Sequence, residues 1–121
     1  MVSYTQVYDI KELRTWLLLI LEKEYGEIAR EYGKLVKEKL DVKNIYLYGS
    51  YAKGTYTSDS DIDIAVVGDD FTGGPIEDIL VLMRIRRKID NRIEPRPFKT
   101  CDFNSSNPFA KEIIETGIML I

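Results

Sequence analysis

Asp61 and Asp63 stand two apart in the run Asp61-Ile62-Asp63-Ile64-Ala65-Val66-Val67, whose β-branched content reads as a strand. Strand side chains alternate, so both carboxylates leave one face while Ile62, Ile64 and Val66 occupy the other and belong in a core. Two carboxylates this close repel one another and raise each other's proton affinity. A hard cation such as Mg²⁺ removes that penalty, and it favours one or two carboxylates combined with substrate phosphates. An isolated acidic pair is more often just the solvated face of a strand. The preceding segment Asn44–Gly49 changes that balance, because it also reads as a strand and runs into Gly49-Ser50. A strand ending in Gly-Ser can present backbone N–H groups and a hydroxyl to a phosphate. If the two strands pair, a phosphate cradle and a metal site face one another.

Other chemistries are excluded by what is missing. The 121 residues contain no histidine, which removes Ser-His-Asp and Cys-His catalysis, a histidine base and His-ligated zinc. Cys101 is the one cysteine, so no internal disulfide can form; it is expected as a buried or half-buried thiol. Gly49 and Gly54 have P-loop spacing, but Thr55-Tyr56 replaces the Lys-Ser/Thr that loop needs. The run from Asp59 starts like a calcium loop but has Ile64 at the glycine position and Asp70 at the glutamate position. With 17 basic and 20 acidic residues the formal charge is −3, which disfavours a binder that depends on neutralising nucleic-acid phosphates. A local basic cluster (Arg84, Arg86, Arg87, Lys88) reads first as a solvated helix face, with docking of an acidic or RNA-bearing acceptor as the alternative. The longest apolar run, Trp16–Leu21, is far short of the ~20 residues that span a bilayer, and nothing before it reads as a signal peptide. The expected setting is cytoplasmic and reducing, with no membrane partner.

The elements that must position these groups follow from periodicity. Asp9 with Glu12 reads as a helix start, followed by Ile10, Leu13, Leu17, Ile20 and Leu21 at helical spacing. Ile28, Tyr32, Leu35, Val36 and Leu40 continue the pattern, and Gly26 and Gly33 leave open whether there is one helix or two. Trp16, Leu18 and Leu19 lie off the main stripe and are a candidate contact with another chain. Ser50–Ser60 is a polar segment, and Gly73-Gly74-Pro75 leads into a helix whose expected apolar face is Ile76, Ile79, Leu80 and Met83, with Ile89 a further candidate. Arg92–Phe98 reads as a strand that Pro95 and Pro97 confine to a sheet edge or an irregular end. Asn107-Pro108 opens a short helix, and 117–121 closes the chain as a strand. The order α-β-β-α-β-α-β predicts an α/β (α+β) fold, a small mixed sheet flanked by helices. It is expected as a single domain over 1–121, with a helical segment at 1–40 and a core at 41–121.

Gly49-Ser50, ten residues, then Asp61-Ile62-Asp63 resembles the signature of the polymerase β-like nucleotidyltransferases, in particular their minimal stand-alone (MNT) members. The resemblance covers roughly Val36 to Ile121. It implies transfer of a nucleoside monophosphate, most simply AMP from ATP, to an acceptor hydroxyl with release of pyrophosphate. It further implies two Mg²⁺ ions held by Asp61, Asp63 and a third carboxylate, with Gly49 and Ser50 on the phosphates. Glu94 is the best match for the third acid, although the family more often has aspartate there; Asp90 and Asp102 are weaker substitutes, and the bland role of Glu94 is an ion pair with Arg92 or Arg96. Lys53 could neutralise the triphosphate, Ser60 could hydrogen-bond a phosphate or cap its turn, and Tyr51 and Tyr56 could stack on a base or simply pack. Minimal members often pair with HEPN-type toxins and some add AMP to a toxin tyrosine, so a protein partner or homo-oligomer is expected. A nucleic-acid acceptor stays open, as does a non-catalytic module that binds nucleotide or a partner by contact alone.

Overall fold

The computed structural model describes residues 23–121, so the expected helix start at Asp9 and the Trp16, Leu18 and Leu19 patch lie outside the described residues. Helix α1 (Lys23–Lys39) leads into strand β1 (Val42–Tyr48). A one-turn helix α2 (Ser50–Lys53) then precedes strand β2 (Ile62–Gly68), helix α3 (Pro75–Arg86) and strand β3 (Ile93–Lys99). After a 3-10 turn over Thr100–Asp102 come helix α4 (Pro108–Thr116) and strand β4 (Ile118–Met119). The predicted order is therefore observed, with α2 added inside the segment expected to be merely polar. Within the described residues α1 is one unbroken helix through Gly26 and Gly33, both buried.

The four strands form a mixed sheet in the order β3-β2-β1-β4. β1 is antiparallel to both β2 and β4, and β3 runs parallel to β2 at one edge. Alternation divides the sheet as expected. Ile62, Ile64 and Val66 join Ile45, Leu47 and Ile93 in the larger core with Ala29, Tyr32 and Val36 of α1 and Leu82 and Ile85 of α3. On the other face, Ala65, Val67 and Phe98 pack under Ala110 and Ile113 of α4. That helix starts where Asn107 accepts hydrogen bonds from the Phe109 and Ala110 N–H groups, at 3.1 and 3.3 Å. It covers only this part of the face, which leaves the beginning of β2 open.

Pro95 and Pro97 are tolerated in β3 because of the ladder register. The Ile62 N–H donates to the Arg92 carbonyl at 2.8 Å, so Glu94, Arg96 and Phe98 turn their N–H groups toward β2. The two prolines occupy positions whose N–H would point out of the sheet. The ladder loses no bond, and the outer edge loses two donors that a stray strand could use.

Two expectations are corrected. The buried face of α3 is Asp78, Leu82 and Ile85, whereas Ile76 and Leu80 are 71% and 46% exposed. The helix carries apolar residues on two sides, and its rotation is set by Asp78 at its first turn. That carboxylate takes hydrogen bonds from Thr72 N, Thr72 Oγ1 and Gly73 N, an anchor that apolar periodicity does not reveal. Cys101 is exposed in the 3-10 turn after β3 instead of buried or half-buried.

Candidate active site

β1 turns into α2 at Gly49, which has φ +72 and is the N-cap of that short helix. A side chain rarely adopts this backbone region, and here it would also have no room, because a Cβ on Gly49 would run into the Asp63 carboxylate. The glycine-serine bend therefore lies directly against one member of the acidic pair. Tyr48, Asp63 and Glu94 are consecutive register partners across β1, β2 and β3, so all three side chains stand side by side on one face. Asp61 precedes them on the same face and is exposed; Asp63 is half-buried.

The electrostatics follow from this geometry. Burial, reinforced by the nearby charges of Glu94 and Asp61, pushes the Asp63 carboxyl up to about 6, and Arg96 opposes the shift. The Tyr48 phenol is also raised, first by burial and then by Asp63, while Arg96 beside it acts in the other direction. Arg96 is itself held with its guanidinium 4.9 Å over the Phe109 ring. Arg92 is committed to Asp90 at 2.8 Å and lies over the Tyr25 ring, so neither arginine closes an ion pair on Glu94 among the described residues. This also removes Asp90 as a substitute acid. Asp102 lies past the far end of β3, away from the pair.

Lys53 points to Glu112 of α4, 3.0 Å away, instead of standing free at the bend. Ser60 holds its own turn, its Oγ accepting from Thr57 N at 2.8 Å. Tyr51 is 3% exposed and stacks on Tyr56 with ring centroids 4.7 Å apart, with Tyr25 at 4.6 Å; packing is what these rings do here. The residues that the sequence reading undervalued are Tyr48 and Arg96. Their signal was available: one sits immediately before Gly49, the other two residues past Glu94 on the same strand face.

Among the described residues no three acidic, histidine or cysteine side chains close into a metal cage. The acids instead form an open, oxygen-only set along one edge of the face. This suits Mg²⁺, which keeps part of its coordination for substrate phosphates and water. Burial first, and then the charges of Glu94 and Asp61, raise the proton affinity of Asp63, and a bound cation would offset both by favouring the ionised carboxylate.

The family model for polymerase β nucleotidyltransferases matches residues 30–121, spanning the bend, both aspartates and Glu94. The chain belongs to this family. It is a nucleotidyltransferase. Its relatives include two proteins of Methanocaldococcus jannaschii, named "Putative protein adenylyltransferase MJ1379" and "Putative protein adenylyltransferase MJ0126". The first is 34% identical over 99 residues and the second 34% over 98; each alignment covers 81% of this chain and 95% of the relative. Two solved structures share the nucleotidyltransferase fold. A structure described as "a putative nucleotidyltransferase from Sulfolobus solfataricus" has a TM-score of 0.56 at 20% identity, covering 77% of this chain and 76% of that one. A structure described as a toxin-antitoxin with AMP-PNP has a TM-score of 0.59 at 24% identity, covering 76% and 72%. None of the described helices is long and apolar enough to cross a membrane.

Proposed function

We propose that this nucleotidyltransferase moves AMP from ATP to a hydroxyl group on a partner protein, most simply a tyrosine of a toxin, in the cytoplasm. The observation that carries the reading is the line of Tyr48, Asp63 and Glu94 across three strands, with Gly49 pressed against Asp63. The relatives named protein adenylyltransferases support a protein acceptor, and the toxin-antitoxin neighbour described with AMP-PNP supports both adenine nucleotide and partner.

The chain's own residues divide the work. Gly49 lets the Asp63 carboxylate lie directly against the bend, and Ser50 offers its hydroxyl and N–H to a phosphate oxygen. Asp61 and Asp63, completed by Glu94, would hold Mg²⁺, two ions in the fullest form, which neutralises charge on the triphosphate when bound. Glu94 is exposed on the edge strand, where an incoming hydroxyl can reach it, and it accepts the proton as the oxygen attacks. A bond forms between that oxygen and the α-phosphorus, the bond to the bridging oxygen breaks, and pyrophosphate leaves with the electron pair. Catalysis is then positioning and charge stabilisation, with no covalent protein nucleophile. Lys53 joins the phosphates only by releasing Glu112, an exposed bridge worth at most about 1 kcal/mol. Ser60 acts by keeping the approach to Asp61 in shape.

The test is α-labelled ATP with Mg²⁺ and cell extract. An acceptor protein becomes labelled, chelation stops the labelling, and Asp61→Asn with Asp63→Asn abolishes it. Labelling that survives the double change removes both aspartates from the mechanism. A partner that co-purifies with the double variant while nothing is ever labelled makes the protein a binding module.

A further inference from the structure

A second concave feature lies beside the edge strand. A cavity of about 400 Å³ opens between the loop before α3 at Gly73 and Gly74, the C-terminal half of β3, and the turn that carries Cys101 and Asn104. Arg96 lines it, and Arg96 also stands on the acid face within electrostatic reach of Asp63 and Tyr48. Arg96 is thus common to the cavity and to the acidic face that carries Glu94 two residues before it on β3.

We propose that this groove holds the acceptor polypeptide and selects an acidic segment flanking the modified hydroxyl. The inference rests on the protein-acceptor reading above. Pro95 and Pro97 remove the outward N–H groups of β3, so the edge cannot bind a peptide by a full backbone ladder. Recognition falls to side chains. Arg96 and Lys99 supply two positive charges, and the Lys99 stem lies along Gly73. Of the acids in the lining, Asp78 is spent on Thr72 and Gly73, which leaves Asp102 as the one exposed carboxylate. The outer wall is preformed: Asn104 donates to the Cys101 carbonyl at 3.0 Å, and Asn107 donates to the Asp102 carbonyl at 3.3 Å. Relatives named for acting on proteins favour a peptide over RNA as the occupant.

Cys101, the one cysteine of the chain, is exposed in this wall and gives a site-specific handle. The probe is a fluorescent pentapeptide with a tyrosine between glutamates, read by polarisation, with a fluorescent ATP analogue measured in parallel. Wild type binds the acidic peptide, Lys99→Glu weakens it at least about fivefold, and a bulky maleimide on Cys101 abolishes it. ATP-analogue affinity stays unchanged in both, and Cys101→Ser treated with the maleimide still binds peptide. Unchanged peptide affinity in Lys99→Glu and in the adduct overturns the proposal, as does a wild type that prefers a lysine-flanked peptide or single-stranded RNA. A wild type that binds the acidic peptide but not the ATP analogue overturns the nucleotidyl-transfer reading instead.

Discussion

A Cβ on Gly49 would occupy the space taken by the Asp63 carboxylate, so the glycine-serine bend and Asp63 are in contact through the absence of one side chain. Two constraints coincide there. The backbone at φ +72 favours glycine, and the approach of Asp63 excludes anything larger.

Gly49→Ala therefore fails on both counts. The backbone at φ +72 and ψ −147, a region essentially confined to glycine, costs alanine at least about 1 kcal/mol, and displacement of Asp63 adds to it. The expected outcome is a melting temperature lowered by roughly 4–8 °C and AMP transfer reduced at least about a hundredfold, read by calorimetry and by the labelling assay. A variant that transfers AMP at the wild-type rate would show that the bend does not position the acid.

Asp63→Asn should abolish transfer while making the metal-free protein more stable at neutral pH. The Asp63 carboxyl sits at about 6, above its ordinary value of 3.8, so between those limits the folded state binds more protons than the unfolded one. Wild-type stability then falls as pH rises from about 4 to about 6, and the asparagine variant is spared that loss. After discounting for the exposed half of the side chain, the gain is roughly 1 kcal/mol above pH 6 and fades toward pH 4. Thermal melts at pH 4.5 and 7.5 measure it. Mg²⁺ with ATP raises the wild-type melting temperature and leaves that of the variant where it was; an equal rise in both would sink the assignment.

Tyr32→Phe tests the far side of the sheet. The Tyr32 hydroxyl donates to the Leu82 carbonyl at 2.9 Å and ties α1 to α3, and burial pushes the phenol far up, so it stays neutral. Losing this bond costs about 1 kcal/mol of stability. Transfer kinetics are expected to be unchanged, because nothing on the acid face touches Tyr32. A change in the KM for ATP would mean that the two faces are coupled.

Much of this site could be read from the chain alone. The Asp61-x-Asp63 alternation, the isoleucines opposite, the glycine-serine bend and the place of Glu94 with Arg96 and Phe98 on one strand face are all local patterns, and the described residues display each of them. The reading of α3 failed where locality failed. Ile76 and Leu80 form as good a stripe as Leu82 and Ile85, and only the hydrogen bonds of Asp78 to the preceding loop choose between them. The Lys53 partner, Glu112, is 59 residues away and carries no sequence mark.

Which way a side chain points along a strand is covalent geometry, repeated every two residues, and so the order of residues by itself determined that Asp61 and Asp63 share a face. Which strands lie next to one another depends on how the helices bury their apolar sides, a balance summed over the entire core. Only the tertiary structure decided that β3 runs parallel beside β2, that Glu94 therefore stands next to Asp63, and that Arg96 joins this acidic face to a groove along the sheet's edge.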